Sequence, residues 1–479
     1  MKRLITLLSA ISIALISCQQ NLVPDHPEIS APADEVMTKS LSTGKVGPDD
    51  PVVFLPATNM KAWTGIESLE NRFAMCDVPI SRLKAMTTEA LVKSIMNYPL
   101  NYLIFVYNDP ETAIDIIVDK SPLHQELLSR LDVKNVFINL YATADLDMRI
   151  EKSDFDSDYT SLSYTNTMFM DYFLGYKVLP ILGESSVKQQ LTEAVIKKLD
   201  ERVQNKETFS TFSIEPLLVI DETASLGIMS SNRYSPFNIL TISNVKTVFG
   251  KDIEACIVAE MSADEMEQII NDCVTQYPNA ILRGSATRDY NCHSYAWYSQ
   301  SLENNYWINY ITQSGIYQLS KYWTSDLYES CSESEAEKIY YSDGDHSAIK
   351  LSNGNYLSKW GQGPLMEHSP TYCPYIQTNM EYYRIRTSPI PGSISVNGPT
   401  SVEVNQSNYY SVQNYNSNFT YTWEVRFMDA PSPTPFVLNA NNSTCTLICQ
   451  DYGYFKTSIY GYYQGRCVAH GQIGVIAMP

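Results

Sequence analysis

The stretch "RDYNCHSYAWYSQS", residues 288–301, sets Cys292 beside His293 between aromatic residues. Whether that cysteine is a thiolate nucleophile, half of a disulfide or a buried apolar residue decides how the middle of the chain folds and works. Asn291 stands just ahead of an apolar-periodic Cys292, Tyr295 and Ala296. Asn is a strong N-cap, so a helix is expected to start at Cys292 with the thiol in its first turn. A thiol attacks only as thiolate, and a helix start with an imidazole nearby is the setting that lowers its pKa from about 8.5. His293, the immediate neighbour, is expected to point roughly 100° away around the helix, so the base must come from elsewhere. Tyr295, Trp297 and Tyr298 are equally readable as core of that helix.

Of the six histidines, His26 falls in a Pro- and Asp-rich tract, His124 in a helical stretch where a solvated role is expected, and His470 in the terminal strands. His346 opens "HSAIKLSNGNYLSKWG", two alternating runs parted by Asn353-Gly354. That dipeptide is a strong hairpin signal, and a strand start can hold an imidazole rigidly against a helix. His368, in the Pro-rich "GPLMEHSPTYCPY", is the less constrained choice. Cys292 as nucleophile with His346 as base is therefore the expected pair.

The compartment bears on this reading. The opening "MKRLITLLSAISIALISCQQ" has two cations, a short apolar run and a small residue before Cys18, the pattern of an export signal too short to span a bilayer. "LISC" resembles a bacterial lipobox, which implies lipidation of Cys18 and a cell-envelope location, at the outer membrane or cell surface; ordinary secretion with an incidental cysteine is the competing reading. Beyond Cys18 the chain carries nine cysteines, an odd number, so at least one thiol stays free or pairs between molecules. A link from Cys445 or Cys449 to Cys467 is open. No CxxC pair occurs, so no structural zinc is expected, and the reading calls for no cofactor. A net charge of −19 with no dense Lys/Arg run speaks against nucleic acid as a partner.

The chain is expected to be multidomain. A signal occupies 1–18 and a Pro-, Ser- and Asp-rich tether 19–52. A mainly helical domain covers 53–246, with caps at Thr87 or Thr88, Asp109 before Pro110, and Ser121 before Pro122. Within it, Leu191, Val195, Ile196 and Leu199 form one helical face. An α+β domain at 247–388 starts with a strand near Ala255–Val258 and a helix capped by Ser262. An all-β sandwich occupies 389–479.

Two resemblances add to this. "MTTEALVKSIMNYPL" is similar to helical modules of exported Bacteroidetes proteins, which implies lineage and no activity. "DYNCHSYAW" followed by "GDHSAIKLSNGNYLSKWG" resembles the papain-like NlpC/P60 and CHAP group, over roughly Lys251 to Arg386. That resemblance implies a papain-like α+β fold and a thiol hydrolase cleaving a peptide or amide bond, in cell-wall muropeptides or a protein. It also implies a polar third residue twelve positions after His346, where this chain has Ser358 in place of the usual His, Asn or Gln. Lys359 or a backbone carbonyl are the other occupants of that role. The terminal strands resemble bacterial immunoglobulin-like or PKD-like modules, although Trp423 precedes all three cysteines there. The alternative is a catalytically inactive surface protein that binds a glycan or protein partner, with Cys292 incidental. An open cleft with the Cys292 sulfur near a His346 nitrogen favours the enzyme, and a buried sulfur favours the binder.

Overall fold

Caps and prolines punctuate the N-terminal part into short helices, as its sequence demands. The computed structural model describes residues 47–54, 63–146, 161–181, 187–228, 239–309, 318–429 and 436–479. Cys18, the expected signal and most of the expected tether lie outside these residues. Helices α1 (Leu69–Met75) and α2 (Ile80–Ala85) lead into α3 (Thr88–Met96), where Thr87 Oγ1 accepts from the Ala90 amide. Next come α4 (Leu103–Val106), α5 (Pro110–Lys120), α6 (Pro122–Leu128) and α7 (Val133–Thr143). Asp109 caps α5, accepting from the amides of Glu111 and Thr112, and Pro110 takes the first-turn position where a missing N–H costs nothing. A short parallel pair, β1 (Asp145–Leu146) with β2 (Ser161–Leu162), precedes α8 (Tyr164–Phe173), α9 (Lys188–Gln204) and α10 (Glu215–Ala224).

Three details depart from the sequence reading. His124 is fully buried, not solvated: its Nδ1 meets Ser121 Oγ at 2.8 Å and its ring packs edge-on against Tyr98, Phe169 and Phe173. Burial pushes it down to about 3. Ile196 faces solvent while Leu191 and Val195 are buried, because α9 presents only a narrow stripe to the core. The end of the expected tether is docked, with the Val52 amide donating to Ser94 Oγ at 2.8 Å and Val52 and Phe54 buried.

Antiparallel β3 (Ile239–Lys246) and β4 (Asp252–Val258) form a hairpin across the boundary expected at residue 247. A capping box starts α11 (Ala263–Gln276): Ser262 Oγ accepts from the Glu265 amide and Glu265 accepts from the Ser262 amide. Then come β5 (Ile281–Gly284) and β6 (Trp307–Ile308), the latter pairing with β4. The following strands are β7 (Tyr328–Ser330), β8 (Lys338–Tyr341), β9 (His346–Lys350), β10 (Tyr356–Lys359), β11 (Leu365–His368) and β12 (Met380–Ile385). They build a seven-stranded sheet in the order β5-β11-β10-β9-β8-β12-β7. The β9–β10 hairpin turns at Asn353-Gly354, where Gly354 has φ +87°.

The sheet is covered on both faces. Ile339, Tyr341, Ala348, Tyr356, Trp360 and Met366 join one continuous core with Leu91, Ile95, Phe105 and Phe169 of the helical region. Full burial of a Leu, Ile, Phe or Met side chain contributes about 1.5–3 kcal/mol, so helices and sheet stabilise one another. On the other side Trp297, Tyr328 and Tyr383 continue into Trp423, Val425 and Phe455 of the C-terminal β-region. That region is a two-sheet sandwich. One sheet runs β13 (Ile390–Pro391), β21 (Arg466–Met478), β20 (Gly453–Tyr463), β17 (Thr420–Phe427), with β15 (Ser401–Glu403) also on β21. The other runs β14 (Val396–Asn397), β16 (Ser407–Val412), β19 (Thr444–Cys449), β18 (Phe436–Asn441). Cys445, Leu447 and Cys449 all point inward from β19 as packing residues, and all nine described cysteines are free thiols, so the link to Cys467 is not formed. Among the described residues no helix is long and apolar enough to cross a membrane.

Candidate active site

Asn291 does what its sequence position suggests. Its Oδ1 accepts from the Ser294 amide at 3.0 Å, and the Tyr295 amide donates to the Asn291 carbonyl at 3.0 Å. The short helix that begins at Cys292 then widens, with the Ser299 amide reaching back five residues to the Ser294 carbonyl at 3.0 Å. Trp297 and Tyr295 are buried and Tyr298 is exposed, so two of the three aromatics are core. Asn291 Nδ2 also donates to the Ile308 carbonyl at 2.8 Å, which ties the helix start to β6.

Cys292 is 1% exposed. Its sulfur meets the side-chain amide of Asn108, 3.7 Å from Nδ2 and 3.8 Å from Oδ1. Asn108 follows α4 in the helical region, and its Nδ2 donates to the Asp345 carbonyl at 3.2 Å and to Asp345 Oδ2 at 3.3 Å.

His293, set aside by the helical-wheel argument, is the most strongly organised imidazole of the cluster. Its Nε2 contacts Asp345 Oδ1 at 3.1 Å and its Nδ1 contacts Ser347 Oγ at 2.9 Å. Ser347 Oγ accepts from Trp297 Nε1 at 2.8 Å and, with the imidazole charged, from Nδ1 as well, since both nitrogens of a charged imidazole donate. Burial opposes charge on His293, but the Cys292 sulfur and the Asp345 carboxylate outweigh it and hold the imidazole up at about 10. Asp345 is in turn kept below the usual carboxylate range: burial opposes its charge, and His293, Asn108 and Asn309 overcome that. Asp345 reaches this position with φ +41°, a left-handed conformation that Asp tolerates better than most residues.

His346 opens β9 as expected, but alternation along the strand turns Ser347 to His293 and His346 to Tyr341 and Tyr375. The imidazole stacks on Tyr375 with centroids 3.5 Å apart, and neither ring nitrogen has a hydrogen-bond partner among the described residues. Tyr375 in turn feels the Cys292 sulfur, after burial the largest influence raising its phenol. Burial, together with the charges of His293 and His368, pushes His346 well below the ordinary histidine range.

Ser358 is not brought to His346. Its Oγ contacts His368 Nε2 at 3.0 Å and accepts from Trp360 Nε1 at 3.1 Å. Lys359 is committed too: its Nζ donates to the carbonyls of Thr287, Gly361 and Gly363 at 2.9, 2.7 and 2.5 Å. Burial pushes Lys359 down to about 7, against the pull of Glu260 and Cys292. No group of three or more His, Cys, Asp or Glu among the described residues is placed to hold a metal ion.

The ground around Cys292 is braced from the helical region. Arg288 forms a buried pair with Glu215 of α10 at 2.7 Å, and the Gln362 amide donates to the Phe105 carbonyl at 2.8 Å. Tyr375 donates its hydroxyl to the Val106 carbonyl at 2.6 Å. Sequence reasoning passed over Asn108, Asp345 and Tyr375. Only Asp345 left a signal, as the residue before His346 in "GDHSA".

Residues 281–380 match a domain family of unknown function, DUF7689. The match takes in Cys292, His293, Asp345, His346, Ser358, His368 and Tyr375, and it leaves out Asn108. No curated protein matches the chain.

Proposed function

We propose that the chain is a papain-like thiol hydrolase that cleaves a peptide or amide bond in cell-wall muropeptides or a protein, held at the cell envelope by acyl chains on Cys18. Cys292 is the nucleophile and His346 the base. One observation supports this most: of two imidazoles in one buried cluster, His293 has both nitrogens engaged by Asp345 and Ser347 and is pushed up, while His346 has neither engaged among the described residues and is pushed down. Environments that drive like groups apart divide acid–base labour between them. His293, with both nitrogens engaged, stays charged and stabilises a thiolate. His346, with both nitrogens unengaged, takes the proton from the Cys292 thiol. The sulfur then bonds to the substrate carbonyl carbon, the C–N bond breaks as His346 returns the proton to the leaving amine, and water hydrolyses the acyl-enzyme.

A second reading is favoured by the 1% exposure of Cys292, which suits a binding module with an incidental thiol, its aromatic surface and sandwich holding a glycan or protein partner. Site-resolved alkylation separates the two. Iodoacetamide at neutral pH should label Cys292 faster than Cys273 and Cys373, which are as deeply buried, and His346→Ala should slow that labelling. Equal rates at the three thiols would leave the binding reading standing.

A further inference from the structure

Asn108 reaches Cys292 from 184 residues away in the chain, and its amide is fixed before it meets the sulfur. Oδ1 accepts from Asn291 Nδ2 at 3.4 Å, while Nδ2 donates to the carbonyl and carboxylate of Asp345. Flipping the amide would set its oxygen against two Asp345 acceptors, so the hydrogen-bond network decides the orientation. Nδ2 carries two hydrogens. One serves Asp345 and the other faces the sulfur.

We infer that Asn108 is a further catalytic residue, an amide that serves the Cys292 sulfur in both protonation states without moving. Oδ1 accepts from the thiol S–H, and Nδ2 donates to the thiolate once the proton has left. The inference rests on the hydrolase reading, and it makes the segment 281–380 incomplete as a site without the helical region. The donor cannot swing away, because Asp345 is itself held by His293 and by Asn309 Nδ2 at 3.2 Å. The charged or titratable groups that act on or are acted on by the sulfur are His293, which stabilises negative charge there, Lys359 and Tyr375, with Asp345 behind His293, and His346, the base of the hydrolase reading. Among them Asn108 is the uncharged donor with an N–H aimed at sulfur, so its loss should reduce thiolate without altering net charge.

The opposing idea is that Asn108 merely covers the thiol. Alkylation of Cys292 by iodoacetamide in the full chain, followed by mass spectrometry across pH, tells them apart. Asn108→Ala should move the pH midpoint of alkylation up by about one unit and slow labelling about tenfold at pH values below the parent's midpoint, since one unit is a factor of ten in thiolate there. Asn108→Ser, whose shorter side chain withdraws the N–H from the sulfur while keeping a polar group in its place, should behave alike and guards against an alanine variant that fails to fold. Faster labelling at every pH with the midpoint unmoved, or no change in either variant, overturns the inference. An unreactive Cys292 in the parent chain instead overturns the hydrolase reading itself.

Discussion

The seven-stranded sheet carries two Trp–Ser–His chains, one through Ser347 of β9 and one through Ser358 of β10. In one, Trp297 Nε1 donates to Ser347 Oγ, which contacts His293 Nδ1; in the other, Trp360 Nε1 donates to Ser358 Oγ, which contacts His368 Nε2. The two links of each chain join the same groups, at 2.8 and 2.9 Å in the first and 3.1 and 3.0 Å in the second, yet His293 is held up at about 10 and His368 is pushed down to about 4. The third link makes the difference. His293 meets the Asp345 carboxylate and lies beside the Cys292 sulfur, whereas His368 Nδ1 meets only the Ser369 carbonyl at 2.8 Å. Burial disfavours charge at both, and a carboxylate with a sulfur reverses it where a carbonyl does not. The same local motif therefore builds an electrostatic site in one place and neutral packing in the other.

The hardest blow to this contrast would come from the histidine that the proposed hydrolase reading makes its proton carrier. His346→Ala should lower hydrolysis by about 10²–10⁴-fold, the usual worth of general acid–base catalysis, while His368→Ala should leave it within about twofold in protein that remains folded. Turnover of an amide-linked peptide followed by chromatography measures both. Equal losses in the two variants would mean that the second chain also serves the site.

Asp345→Asn turns the first chain into a likeness of the second, and its effect has a definite sign. His293 has a folded pKa of about 10 against about 6.5 unfolded, so its contribution is complete below about 6.5 and is lost as pH rises through about 10. The parent chain should lose stability along that alkaline limb, on the order of a few kcal/mol from this group. In Asp345→Asn the limb should flatten, because the carboxylate that favours the imidazolium is gone, while Asn accepts the left-handed φ. Urea midpoints at pH 7 and pH 10 report it, and an unchanged difference between parent and variant would show that Asp345 does not hold the His293 charge.

Much of the architecture was legible in the sequence because local chemistry fixes it. Thr87, Asp109, Ser262 and Asn291 cap the helices their positions announce, and Asn353-Gly354 makes its hairpin. What long-range packing decides was not legible. His124 looks solvated by helix position, yet it is buried by Tyr98, Phe169 and Phe173, the last two from a helix some forty residues on. The site divides the same way. The helix start at Cys292 and the strand start at His346 follow from nearest neighbours, but strand alternation sends Ser347 rather than His346 to His293. Asn108 has no motif at all, since nothing near it in sequence marks a contact made across 184 positions.

The smallest expected effect tests the second chain on its own terms. Because the Ser369 carbonyl can only accept, His368 Nδ1 carries the hydrogen and Nε2 is the acceptor, so the Ser358 hydroxyl donates to it. The Ser358 oxygen is then free to accept from Trp360 Nε1, and one hydroxyl satisfies two buried rings. Ser358→Ala strips both at once without adding charge, and leaving buried polar groups unsatisfied costs about 1–3 kcal/mol. Urea unfolding at pH 7 should show that loss, while the rate of Cys292 alkylation should not change, because His293 and Asp345 are untouched. An alkylation rate that falls tenfold in Ser358→Ala would restore Ser358 to the orienting role that the papain-like resemblance assigns to its position, and would erase the distinction drawn between the two chains.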